Sequence, residues 1–238
     1  MKPFALVSPS QFRPGPPIAR TGEQWAADYN EIKDLGSRNS TKRSPRQTED
    51  ARFWLITGPQ STDPILRQLV AAKKLSLIDS ARFMALASVA LADAYIAVMD
   101  AKYRYEFWRP ITAIRNADLD DNPATQADPT WQPMIDNTPM HPEYLCAHCI
   151  GSFALAAVVE ALFGTTEVPE ISMTSSTAPG VTHRWTNLRA YTNEVSQARI
   201  WAGFHYRFST LVGQDMGRKI GGYVVQNAMQ PATVADAR

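Results

Sequence analysis

Cysteine is nearly missing from this chain: Cys146 and Cys149 are its two copies, three positions apart. Such a pair cannot staple distant loops, so a disulfide-scaffolded fold is excluded. Charge of one sign is also lacking. Lysine plus arginine outnumber aspartate plus glutamate by 24 to 23, and no block of five or six like charges occurs, which removes any global electrostatic case for a nucleic-acid partner or an acidic membrane surface. Internal repeats and a sustained alternating pattern of apolar residues are absent too. A long apolar run is approached once, in "ARFMALASVALADAYIAVMDAKY", residues 81 to 103. It contains Arg82, Asp93 and Asp100 and is rich in weakly apolar alanine, so it reads as a buried core helix rather than a membrane span. The start, "MKPFALVSPSQF", has no apolar stretch of signal-peptide length and meets a proline early. A cytoplasmic, soluble chain is the expectation, unless a leader has been removed.

What is present is helical periodicity. A chain of 238 residues with 45% hydrophobic and 20% charged residues can bury a substantial core. Residues 1–22 hold five prolines and two glycines and read as an extended arm; residues 23–238 read as one domain. Apolar spacing predicts helices over Gly22–Leu35, Gln47–Ile56, Asp63–Leu75, Asp79 to about Trp108, Cys146–Phe163 closed by Gly164, Leu188–Gly203 and Ser209–Met229. The Asp-, Asn- and Pro-rich residues 116–140 suit a long surface loop, and they lack the glycine and glutamate of a calcium-binding EF-hand. "EISMTSSTAPGVTHRW" is β-prone and polar, a short hairpin or loop. The architecture expected is all-α, a helical bundle with a Pro-rich N-terminal arm.

Titratable groups concentrate in three separated segments. In "KYRYEFWRP", Lys102 and Arg109 are two helical turns apart and share a face if the helix reaches Pro110. Two cations facing one way call for an anion between them. In "HPEYLCAHCIGSF", His148 stands at the start of an apolar helix, where free backbone N–H groups favour an anion and an imidazole can move a proton. In "ARIWAGFHYRFS", Arg199 and His205 are six apart, so they converge only if Gly203 breaks the helix. Arginine offers a planar fork for an oxyanion, and His205 a nitrogen for coordination or attack.

The bland readings of the neighbours are as follows. A redox Cys-x-x-Cys pair needs a βαβ context that this helical chain lacks. A zinc site from His141, Cys146, His148 and Cys149 has suitable ligand types without supporting geometry. Small buried cysteines at a helix start are preferred. His141 and His183 read as structural or loop histidines. Asp93 and Asp100 either pair with Arg109 or orient His148, or are exposed or capping. Trp108 and Tyr206 flank the three segments.

Taken together, K-x6-R-P, P-E-Y-x-x-x-H and A-R-x5-H resemble the signature of the vanadium-dependent haloperoxidases and type 2 phosphatidic-acid phosphatases, the bacterial soluble haloperoxidase branch in particular. "KPFALVSPSQFRPGPP", "DAKYRYEFWRPITAIRNAD" and "NPATQADPTW" extend the likeness over nearly the whole chain. The resemblance implies that Lys102, Arg109 and Arg199 neutralise the oxygens of vanadate, or of phosphate in the same site. It makes His205 the apical ligand to vanadium, or the phosphorylated nucleophile of a phosphatase, and His148 the acid and base. Hydrogen peroxide and a halide or small organic acceptor would be the substrates. Two departures weaken the pattern. Cys146-Ala147 stand where the family has Ser-Gly as anion-binding neighbours of the histidine, and Ser209 stands where many members carry the aspartate that would orient His205. The resemblance therefore also leaves room for a phosphomonoester hydrolase or a non-catalytic oxyanion binder, and a bundle this short is expected to form a homodimer.

Overall fold

A computed structural model describes residues 1–230 of the chain. Among the described residues there are eight α-helices: α1 (Glu23–Leu35), α2 (Pro45–Phe53), α3 (Asp63–Ala72), α4 (Leu77–Tyr105), α5 (Pro110–Arg115), α6 (Ala147–Phe163), α7 (Leu188–Trp201) and α8 (Arg207–Asn227). Between α6 and α7 lies an antiparallel hairpin, β1 (Glu167–Ser175) and β2 (Ala178–Asn187), in which Ile171 faces Trp185 and Met173 faces His183. The described residues thus form a helical bundle with one two-stranded sheet, and the segment read as a short hairpin or loop is the hairpin, so the all-α class gains this single β element. The hairpin's buried residues, Ile171, Met173 and Trp185, pack on α2 and α3.

Sequence explains the central packing. On α4, Ala87, Ala90, Ala94, Ala97 and Ala101 recur at three- and four-residue spacing and are fully buried, so a stripe of small side chains faces α6. On α8, Gly213, Gly217 and Gly221 form a second such stripe against the same helix. A Cβ on Gly217 would lie 2.4 Å from the Ile150 carbonyl oxygen, and one on Gly221 2.4 Å from that of Ala154. Helices α6 and α8 therefore approach backbone to backbone. Gly217→Ala should cost about 1–3 kcal/mol through overpacking. By length and composition α4 could cross a membrane; here its alanine stripe lies in the core.

Several helices end earlier than periodicity predicts. The expected helix to Trp108 stops at Tyr105, where Glu106 takes a left-handed conformation (φ 47°). Proline at 110 then holds Arg109 extended (ψ 155°) and starts α5 at its first position. Lys102 and Arg109 consequently sit on different elements, contrary to the expectation of one helix face. The predicted ends at Ile56, Leu75 and Met229 likewise fall two or three residues beyond α2, α3 and α8.

Residues 1–22 contain neither helix nor strand. The N–H groups of Phe4, Ala5 and Leu6 donate to the Asp93 carboxylate at 2.6, 2.8 and 2.9 Å, and Arg13 pairs with Asp100 at 2.7 Å. Asp93 and Asp100 are therefore spent on this segment and meet neither Arg109 nor His148. Residues 231–238 of the expected 23–238 domain lie outside the described residues.

Candidate functional site

Gly203 has φ +84° and follows the end of α7, so the chain reverses there and turns His205 back toward Arg199. The His148 ring stands in the first turn of α6, next to Ala147. Arg199, His148, His205 and Ala147 line one cavity of about 340 Å³, together with Thr57, Gly58, Tyr95, Met99, Pro139 and His141. Lys102 and Arg109 are packed behind it: Lys102 is fully buried and Arg109 is 6% exposed.

The three cations are anchored by main-chain carbonyls. Lys102 Nζ donates to the Pro142 and Glu143 oxygens, both at 2.8 Å, and Arg109 donates from Nε to His141 O at 3.0 Å and from Nη1 to Phe204 O at 2.9 Å. Arg199 Nη1 donates to Trp54 O at 2.6 Å, leaving its Nε buried without a partner. His148 Nε2 is also buried and unpartnered. Two polar atoms of the cavity lining are thus desolvated with nothing protein-derived to bond, a costly state that a polar ligand relieves.

His205 is oriented by Glu143. The ring nitrogen Nδ1 lies 2.8 Å from Glu143 Oε1, and Nε2 lies 3.3 Å from Arg109 Nη1. Arginine can only donate, so Nε2 is the acceptor and Nδ1 carries the hydrogen. A neutral imidazole is thereby held with its lone pair directed among the cations. The expectation that Ser209 leaves His205 without a carboxylate is overturned: the carboxylate comes from the P-E-Y segment, and the buried Ser209 hydroxyl lies beside that same Glu143.

Electrostatics follow from burying three cations near one acid. Burial, then the neighbouring Arg109 charge, pushes the Lys102 ammonium well below its usual range. Burial lowers Arg109 to about 10, and burial plus Arg109 lowers Arg199 to about 9. Burial pushes Glu143 up to about 7 even though Lys102 and Arg109 favour its charged form. Both His148 and His205 are driven well below the ordinary imidazole value, by burial and then by the cations around them. The cluster has more positive than negative charge out of water, a state that selects for an anion.

Two residues of this site escaped sequence reading. Glu143 lay within the P-E-Y motif, but its complete burial and its pairing with His205 are set by the fold and leave no local signal. His141, taken as structural, accepts from Arg109 Nη2 at 3.0 Å and lines the cavity, and burial with the nearby Lys102 and Arg109 charges lowers it to about 4. Cys146 is a correction of the opposite kind. Its sulfur is bonded to Cys149 and accepts from the Cys149 N–H at the helix start, so it is neither the thiol donor expected in place of the family hydroxyl nor a zinc ligand. Trp108 and Tyr206 are absent from the cavity wall. Arg20 stacks over Trp108, and Tyr206 packs against Trp25, Phe107 and Phe208.

Residues 82–233 match the family model described as the VCPO second helical-bundle domain. The chain belongs to this family. A curated relative, the vanadium chloroperoxidase of Curvularia inaequalis, is 31% identical over 153 residues, which is 55% of this chain and 24% of the relative. Among solved structures, a bacterial vanadium-dependent iodoperoxidase shares the fold with a TM-score of 0.78 at 28% identity, over 94% of this chain and 55% of that one. The apo and holo forms of a bacterial vanadium-dependent chloroperoxidase give TM-scores of 0.73 and 0.72 at 18% and 17% identity, each over 94% of this chain and about half of theirs. The chain thus spans a quarter of the curated haloperoxidase and about half of each solved one.

Proposed function

We propose that the chain is a vanadate-dependent haloperoxidase-like oxidoreductase, using hydrogen peroxide to oxidise a halide. The observation that carries this reading is the neutral His205 imidazole, locked by Glu143 with Nε2 presented among three buried cations, in a chain of the VCPO family. The unpartnered His148 Nε2 and Arg199 Nε support an oxyanion as the cavity's ligand.

In this reading, Arg199 and the N–H at the start of α6 bind anion oxygens directly, while Lys102 and Arg109 supply positive charge from behind. His205 Nε2 would be the coordinating atom once Arg109 turns its N–H from the ring to the anion, and Glu143 fixes the tautomer and direction of the ring. Vanadate, when bound, supplies a Lewis acid that activates peroxide toward halide attack. His148 holds or accepts a proton at Nε2, where its depressed basicity keeps it neutral until an anion arrives. Met99, Tyr95 and Pro139 supply an apolar wall that limits competing water.

Titration of the protein with orthovanadate, followed by peroxide-dependent bromination and iodination, tests the proposal. Halide oxidation that requires vanadate is expected. Phosphate-ester cleavage blocked by vanadate, without halide oxidation, would replace it by a phosphatase acting through His205; bound vanadate with neither activity would leave an oxyanion-binding protein.

A further inference from the structure

We propose that Glu49, Asp50 and His183 form a binding site for one first-row divalent metal ion of the zinc(II) class, joining α2 to β2 away from the anion cavity. The side-chain ligand atoms of these residues lie within 4.8 Å of one another. His183 Nε2 is 3.6 Å from Asp50 Oδ1 and 3.7 Å from Glu49 Oε1. Two atoms bound tetrahedrally to one zinc ion at the usual lengths are separated by about 3.4 Å, so a small closure suffices.

His183 points to a ligand independently of the acids. Its side chain is 1% exposed, and its Nε2 has no hydrogen-bond partner. On the other side of the ring, Nδ1 lies 2.5 Å from Glu194 Oε1, and Glu194 is itself held by the indole N–H groups of Trp54 and Trp185 at 2.9 and 3.0 Å. Phe53 stacks on the imidazole at 3.8 Å. With the hydrogen on Nδ1, the lone pair of Nε2 faces two carboxylates. Acceptor against acceptor is unfavourable unless a proton or a metal cation stands between them. Glutamate behind an imidazole is also the arrangement that orients histidine for a metal.

One nitrogen and two carboxylates suit zinc(II) or its transition-metal neighbours, and fall short of the six to eight oxygens of calcium. Arg46 contacts the same oxygens, Nε to Asp50 at 2.9 Å and Nη1 to Glu49 at 3.1 Å. Its side chain is 60% exposed, so it can withdraw into solvent when an ion enters.

Chelator-treated full-length protein titrated calorimetrically with zinc chloride, and by visible absorption with cobalt(II), tests the site. One saturable equivalent is expected. Glu49→Gln, on a side chain 38% exposed, should keep the helical circular-dichroism spectrum and weaken binding about tenfold or more. Asp50→Asn should weaken it further, and Arg46→Ala should tighten it. A His148→Ala/His205→Ala chain should bind as before. Absence of saturable binding, insensitivity to both Glu49→Gln and Asp50→Asn, or loss of binding in the His148/His205 variant would each overturn the proposal.

Discussion

His205 and His183 are held alike: each places Nδ1 against a glutamate, at 2.8 and 2.5 Å, and presents Nε2 to a cluster of charges. The charges differ in sign. Around His205 they are Lys102, Arg109 and Arg199; around His183 they are Glu49 and Asp50, with Arg46 at the rim. In the two roles proposed, the same oriented imidazole serves an anion-held centre in one field and a bare cation in the other. Trp54 touches both regions, giving its carbonyl to Arg199 and its indole N–H to Glu194.

The sharpest way to break the comparison is His205→Ala, which should abolish vanadate-dependent turnover while zinc binding persists; unchanged peroxidase rates would remove His205 from the coordinating role. Next in size, Glu143→Gln should lower vanadate affinity roughly 10- to 100-fold, because an uncharged partner no longer stabilises the oriented ring as well. Glu194→Gln should spare vanadate and weaken zinc. Differential scanning with orthovanadate at about a hundred times its dissociation constant should add about 2.7 kcal/mol, a rise on the order of 5–10 °C. No shift with vanadate would mean the buried positive cluster does not recruit that anion. The smallest effect is expected from Cys146→Ser, which trades a sulfur cap for a hydroxyl cap but also removes the bond to Cys149, so stability should fall by about 1–2 kcal/mol. A clear gain in peroxidase activity would instead show that the missing hydroxyl limits the site.

Legibility differed between the two regions for a physical reason. Lys102, Arg109, His148, Arg199 and His205 lay in motifs with resemblance to a known family, and Gly203 signalled the turn that lets the last two converge. Glu143 was printed among them, yet its task depends on a contact across 62 positions with His205, which no local spacing reveals. His183 carried no signal at all. The hairpin register places it opposite Met173, and packing on α2 brings Glu49 and Asp50, more than 130 positions away, to its free nitrogen.

Local physical chemistry fixed most of the helices, the start of α5 at Pro110, the glycine and alanine stripes and the presence of scattered cations, since each depends on neighbours within a few turns. Tertiary structure alone decided which acid faces which imidazole. Charges cancel, reinforce or stand uncompensated according to distances in space and the loss of water around them, and neither quantity is written along the chain.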